Sequence, residues 1–125
     1  MIAARILVVE DTPLNMELAT DLLEAAGHQV LQARSGADGV QLARTELPDL
    51  ILSDIHLPDI SGREVVRILK QDPRTRDIPA VALTAQAMRG DEILAREAGF
   101  DGYITKPIDT RSFASTATAF LRNGA

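Results

Sequence analysis

Along the whole chain, short unbroken apolar runs alternate with longer stretches whose apolar residues recur at helical spacing. The first run, Ile6-Leu7-Val8-Val9, stops abruptly at Glu10-Asp11. A run of this kind fits a parallel strand covered by helices on both faces. After Thr12-Pro13, where a hydroxyl can cap and a proline suits a first turn, a helix is predicted to about Ala26, stopped by Gly27. The pattern then repeats with a weaker strand at Val30-Leu31, a turn at Ser35-Gly36, and a helix carrying Val40 and Ala43 towards Leu47, terminated by Pro48. Leu50-Ile51-Leu52 forms the third strand and ends in Ser53-Asp54, and Pro58 to Gly62 reads as a loop. Val65, Ile68 and Leu69 mark a third helix that closes at Asp72-Pro73. Ala80 to Leu83 is the fourth strand, Met88 to Ala98 a helix ended by Gly99, and Gly102-Tyr103-Ile104 a short fifth strand. Phe113, Ala117, Phe120 and Leu121 supply the stripe of the last helix.

Five βα units with right-handed crossovers predict an α/β fold: an open, doubly wound (βα)5 sandwich of three layers. An eight-unit barrel needs about twice this length. The flavodoxin-like parallel order 2-1-3-4-5 is expected, with a ligand site at the carboxyl ends of strands one and three. A single domain over residues 1–125 is expected, with no output domain after it. The first helix carries two apolar faces. Leu14, Leu18, Leu22 and Ala25 are expected to cover the sheet, leaving Met16, Ala19, Leu23 and Ala26 either to dock on a partner helix bundle or to be buried by neighbouring elements.

Composition narrows the classes. At 125 residues and 46% hydrophobic, the chain can build one core without metal or disulfide staples. Zero cysteine removes disulfide scaffolds, thiol catalysis and thiolate metal sites together. A net charge of −5 with 3% aromatics leaves poor means of neutralising phosphates or stacking bases, so no nucleic-acid partner is expected. No apolar run approaches the roughly 18 residues of a membrane helix, and Ile2-Ala3-Ala4-Arg5 does not open a secretory signal. No membrane insertion is expected, and a cytoplasmic location is.

The residues that end the apolar runs carry the chemistry. Glu10 and Asp11 follow the first, Asp54 the third, Thr84 the fourth and Lys106 the fifth. Carboxylates gathered at one rim repel each other unless a cation joins them. Hard oxygen ligands without cysteine or a histidine pair favour Mg²⁺ over Zn²⁺. A carboxylate, a divalent cation, an ammonium and a hydroxyl are the parts of phosphoryl transfer, with Asp54 as candidate acceptor.

Val9-Glu10-Asp11, Asp54-Ile55-His56-Leu57-Pro58 through Gly62, Leu83-Thr84-Ala85 and Tyr103-Ile104-Thr105-Lys106-Pro107 resemble the response-regulator receiver domains of two-component signalling. The likeness runs from Ile6 to Leu121. It implies that Asp54 accepts a phosphoryl group, that Glu10 and Asp11 hold Mg²⁺ partly through water, and that the backbone carbonyl of His56 is a further ligand. Thr84 and Lys106 would contact phosphoryl oxygens, Tyr103 would turn inward as Thr84 is drawn over, and the Lys106-Pro107 bond would be cis. The implied partners are a histidine kinase or a histidine phosphotransfer protein, with a phosphatase or adaptor beside them. Asn15, Leu57 to Gly62, Ala87 to Glu92 and Lys106-Pro107-Ile108 look most like the DivK-type single-domain regulators of cell-cycle control. Leu57 stands where Met is frequent in the family, and Ser61 where Asp is frequent.

Rival readings use the same residues. A receiver cut from a hybrid histidine kinase would carry the same motifs. A Mg²⁺-dependent phosphohydrolase of the haloacid-dehalogenase type wants an acid where His56 stands, and a flavin carrier wants a phosphate loop where Glu10-Asp11 stands. A receiver-like module that only binds partners would not need the full acidic cluster. Taken singly, Asp11 could be a polar strand end, Lys106 a surface lysine and Thr84 a turn cap. His28 and His56 are not read as catalytic.

Overall fold

The computed structural model describes residues 3–84, 89–106 and 108–121. Five strands, β1 (Arg5–Val9), β2 (Gln29–Ala33), β3 (Leu50–Asp54), β4 (Ala80–Thr84) and β5 (Gly102–Thr105), alternate with five helices. The helices are α1 (Pro13–Ala25), α2 (Gly36–Glu46), α3 (Gly62–Gln71), α4 (Arg89–Ala98) and α5 (Phe113–Thr118). All pairings are parallel, in the order β2-β1-β3-β4-β5. The doubly wound fold and its strand order are as the sequence predicts.

Alternate residues of the central strands feed two apolar layers. Leu7, Val9, Ile51, Ala80 and Ala82 join Val40 and Ala43 of α2, Val65, Val66 and Leu69 of α3, and Ala95 of α4. Ile6, Val8, Leu50, Leu52, Val81 and Leu83 join Met16, Ala19 and Leu23 of α1 and Phe113 and Ala117 of α5. Burial on both faces explains why these strands read as continuous apolar runs.

The assignment of faces on α1 is corrected. Met16, Ala19 and Leu23 are the buried residues, whereas Leu14 is 74% exposed, Ala25 is exposed, and Leu18 and Leu22 are half-buried beside the core. The two stripes are centred about 120° apart and both are apolar, so composition alone does not phase the helix. Its phase is set where it starts: Pro13 opens it, Met16 N–H donates to the Thr12 carbonyl at 3.0 Å, and Thr12 N–H is held by Glu10 Oε2 at 3.1 Å. The Thr12 side chain makes no cap bond. Met16 therefore faces the sheet, and the expected partner surface centred on it is part of the core. His28 is buried too, its Nδ1 accepting the Ala4 N–H at 3.0 Å, which gives it a structural role.

Strand register builds the functional rim. Val9 pairs with Ser53, Asp54 with Leu83, and Thr84 with Thr105. Glu10, the residue after Val9, is thereby level with Asp54, and Thr84 and Lys106 follow one and two residues beyond that level at the carboxyl end of the sheet.

Candidate functional site

Lys106 binds the rim together. Its Nζ donates to Glu10 Oε1 at 2.5 Å and to Asp54 Oδ2 at 3.0 Å, while its backbone N–H donates to the Thr84 carbonyl at 2.7 Å. Asp54 is completed by the His56 N–H, which donates to Oδ1 at 3.0 Å. Glu10 is 1% exposed and has both oxygens occupied, by Lys106 and by Thr12 N–H, with its own N–H donating to the Ala33 carbonyl at 2.9 Å.

Glu10, Asp11 and Asp54 each offer a carboxylate oxygen to one cluster, all within 4.8 Å of one another. Asp11 is exposed and the other two are buried. At an effective dielectric of about 20, two unit charges at 4.8 Å repel by ~3.5 kcal/mol, and three carboxylates contain three such pairs against one ammonium. Burial is the largest influence on Glu10 and holds its carboxyl above the ordinary range, outweighing the hydrogen bonds from Lys106 and Thr12. Burial also pulls on Lys106, downwards, but the bonds to Glu10 and Asp54 and their charges outweigh it and leave the ammonium above its usual value. The lysine stays charged, one ammonium set among three acids.

That donor set suits a hard divalent cation. Opposite ligands of an octahedral Mg²⁺ stand about 4.2 Å apart, so carboxylates this close can share one ion with waters completing its shell.

Thr84 is buried at the end of β4, and Tyr103 is half-buried against the layer formed with α2, α3 and α4. The His56 side chain is exposed, so its contribution to the site is its backbone. The expected cis Lys106-Pro107 bond, and the motif residues Ala85, Ala87 and Met88, lie outside the described residues.

The loop after β3 holds what the sequence reading did not find. Gly62 N–H donates to the Ile55 carbonyl at 2.7 Å, closing the loop on itself. A Cβ on Gly62 would stand 2.1 Å from the Asp54 carbonyl oxygen, so only glycine allows this approach. Ser61 caps α3, its Oγ accepting from Glu64 N–H at 3.2 Å, so the departure from the commoner Asp keeps a capping residue. The Ser-x-x-Glu spacing was a local signal for that cap. Asp59 reaches a different helix altogether, and no local pattern announces it.

Residues 6–118 match the response regulator receiver domain family. The chain is a response-regulator receiver domain. It is 47% identical over 116 residues to the polar-differentiation response regulator DivK of Brucella ovis, which covers 93% of this chain and 94% of the relative. The receiver domain of a signal transduction histidine kinase from Syntrophus aciditrophicus is similar at 36% identity and a TM-score of 0.86, covering 95% of this chain and 90% of that one. The receiver domain of a sensor histidine kinase from Pseudomonas aeruginosa is 29% identical with a TM-score of 0.87, over 95% of this chain and 98% of that one. That structure has a magnesium ion coordinated in its active site cleft. The resemblance read from the strand-end residues is thus borne out, as is the closer likeness to the DivK type. As a receiver, the chain is a signalling module of a two-component system. No helix among the described residues is long and apolar enough to cross a membrane.

Proposed function

We propose that this receiver takes a phosphoryl group from the phosphohistidine of a histidine kinase or histidine phosphotransfer protein onto Asp54, with Mg²⁺ held by Glu10, Asp11, Asp54 and the His56 carbonyl. The observation that carries this is the Asp54 carboxylate gripped on one oxygen by Lys106 and on the other by the His56 amide, beside two further acids. An Asp54 carboxylate oxygen attacks phosphorus, the P–N bond breaks, and a donor ring protonated at its other nitrogen leaves as neutral imidazole. The product is an acyl phosphate. Bound Mg²⁺ supplies positive charge that offsets the phosphoryl oxygens and the carboxylates. Lys106 adds a fixed ammonium, and the two hydrogen bonds on Asp54 hold the nucleophile in one orientation.

Thr84 and Tyr103 form the switch in this reading. Thr84 donates to a phosphoryl oxygen, and Tyr103 follows it inward on β5, changing the surface offered to a partner protein. Two charge-assisted bonds at about 1.5–3 kcal/mol each compare with the ~5.5 kcal/mol that carries a two-state equilibrium from 1:99 to 99:1, so the switch is a population shift. Identity to DivK across nearly its full length supports an output by contact with kinases, phosphatases or adaptors of polarity and cell-cycle control.

Incubation with acetyl phosphate, with and without Mg²⁺, followed by intact mass measurement tests the chemistry. One added phosphate that needs Mg²⁺ and is lost in Asp54→Asn is expected. Equal labelling of Asp54→Asn would overturn the assignment.

A further inference from the structure

The loop between β3 and α3 is tied at three places. His56 N–H reaches Asp54 Oδ1, Gly62 N–H reaches the Ile55 carbonyl, and Asp59 reaches across to the start of α2. Asp59 Oδ1 accepts from Gly36 N–H at 2.8 Å and Oδ2 from Ala37 N–H at 2.9 Å, a contact spanning 23 and 22 residues of chain. Ala37 and Gly36 N–H groups hold its carboxyl below the usual range.

The helix has its own cap as well. Ser35 Oγ accepts from Asp38 N–H at 3.2 Å, and the Ser35 carbonyl takes Gly39 N–H at 3.0 Å. Asp59 therefore serves the two amides that the local cap leaves over. The surfaces fit closely there: a Cβ on Gly36 would stand 2.4 Å from Ile60 Cγ1 and 3.0 Å from the Ile60 carbonyl oxygen. The loop lies flush on the beginning of α2. Only Leu57 and Pro58 separate Asp59 from His56; Leu57 packs on the core and Pro58 has a fixed φ, so little slack lies between clasp and site.

We propose that Asp59 is a positioning residue for the phosphoacceptor site, holding the loop on α2 so that the His56 backbone stays placed for the metal beside Asp54. This rests on the Mg²⁺ reading above. The clasp acts through the loop and touches neither the ion nor the phosphoryl group.

Calorimetric titration of MgCl2 into the unphosphorylated full chain tests it, at a temperature where every variant is folded. Losing two charge-assisted bonds in Asp59→Ala is expected to weaken Mg²⁺ binding about tenfold, and Asp59→Asn, whose amide oxygen still accepts, about threefold. Ser35→Ala removes the neighbouring cap bond and destabilises α2 without touching the loop, so its Mg²⁺ affinity is expected to match wild type. The His56 amide resonance is expected to shift in both Asp59 variants and not in Ser35→Ala. Mg²⁺ affinity in Asp59→Ala within about twofold of wild type, or an equal loss in Ser35→Ala, would show that Asp59 is only a helix cap. Wild type failing to bind Mg²⁺ would instead overturn the metal reading, and the proposal with it. Asp59→Asn, which keeps the side-chain shape, decides the matter should Asp59→Ala not fold.

Discussion

Gly62→Ala is the sharpest perturbation this fold offers. The added Cβ would meet the Asp54 carbonyl oxygen at 2.1 Å, the Ile55 Cα at 2.8 Å and the Asp54 carbonyl carbon at 2.9 Å. All three are backbone atoms, so no side chain can swing aside. Restoring an ordinary contact of about 3.2 Å to the oxygen requires a backbone shift of ~1 Å, and overpacking of this sort costs about 1–3 kcal/mol. For a domain of this size, ~2–3 kcal/mol lowers the melting temperature by roughly 8–15 °C. The shift falls on Asp54, whose carboxylate is proposed to accept the phosphoryl group. A misplacement of about 1 Å at a reacting group costs on the order of a hundredfold in rate. Thermal melting followed by circular dichroism reads the first effect, and intact mass after timed exposure to acetyl phosphate reads the second. Gly36→Ala is the milder contrast, because its closest contact is a side-chain atom, Ile60 Cγ1 at 2.4 Å, and the nearest backbone atom, the Ile60 carbonyl oxygen, stands at 3.0 Å. A Gly62→Ala protein that melts within about 2 °C of wild type and is labelled at the same rate would refute the reasoning.

Three further perturbations have outcomes set by burial and charge. Lys106→Met strips the ammonium from Glu10 and Asp54, with side chains 12%, 1% and 10% exposed, and is expected to cost about 3–5 kcal/mol near neutral pH in urea unfolding. Because Glu10 already sits above 4.5 in the fold, stability falls as pH rises from 4.5 through its folded value; removing Lys106 widens that window upwards, so acidification should recover part of the loss. Asp72, held at about 2 chiefly by the Arg74 side chain and backbone, contributes stability above its ordinary value of 3.8 that is lost as pH falls through about 2; Arg74→Ala should move its carboxyl titration upwards by NMR. Met16→Glu places a charge in the core and is expected to unfold the domain or cost more than about 3 kcal/mol, whereas Leu14→Glu on the exposed face should stay within about 0.5 kcal/mol in the same assay.

The strands were legible because burial on both faces leaves no polar interruptions, and β2 was the weakest for the converse reason: Gln29 and Gln32 are exposed on an edge strand. Glu10, Asp54, Thr84 and Lys106 could be placed together because each ends a run whose register the fold then aligns. The phase of α1 was not legible, since Met16-Ala19-Leu23 and Leu14-Leu18-Leu22 are both apolar and the choice is made by the Glu10–Thr12 anchor. The Asp59 clasp was invisible for a related reason: its partners lie more than twenty residues away and no periodicity connects them.

The ammonium that steadies Glu10 comes from a residue 96 positions later, and from 52 positions beyond Asp54. During synthesis the acids leave the ribosome long before their counter-charge does. A chain broken off short of β5 would hold Asp54 yet lack the group that reconciles it with its neighbours. On the proposed reading, competence to take the phosphoryl group therefore waits on the residue that follows β5, and copies lacking it are poor decoys for the donor.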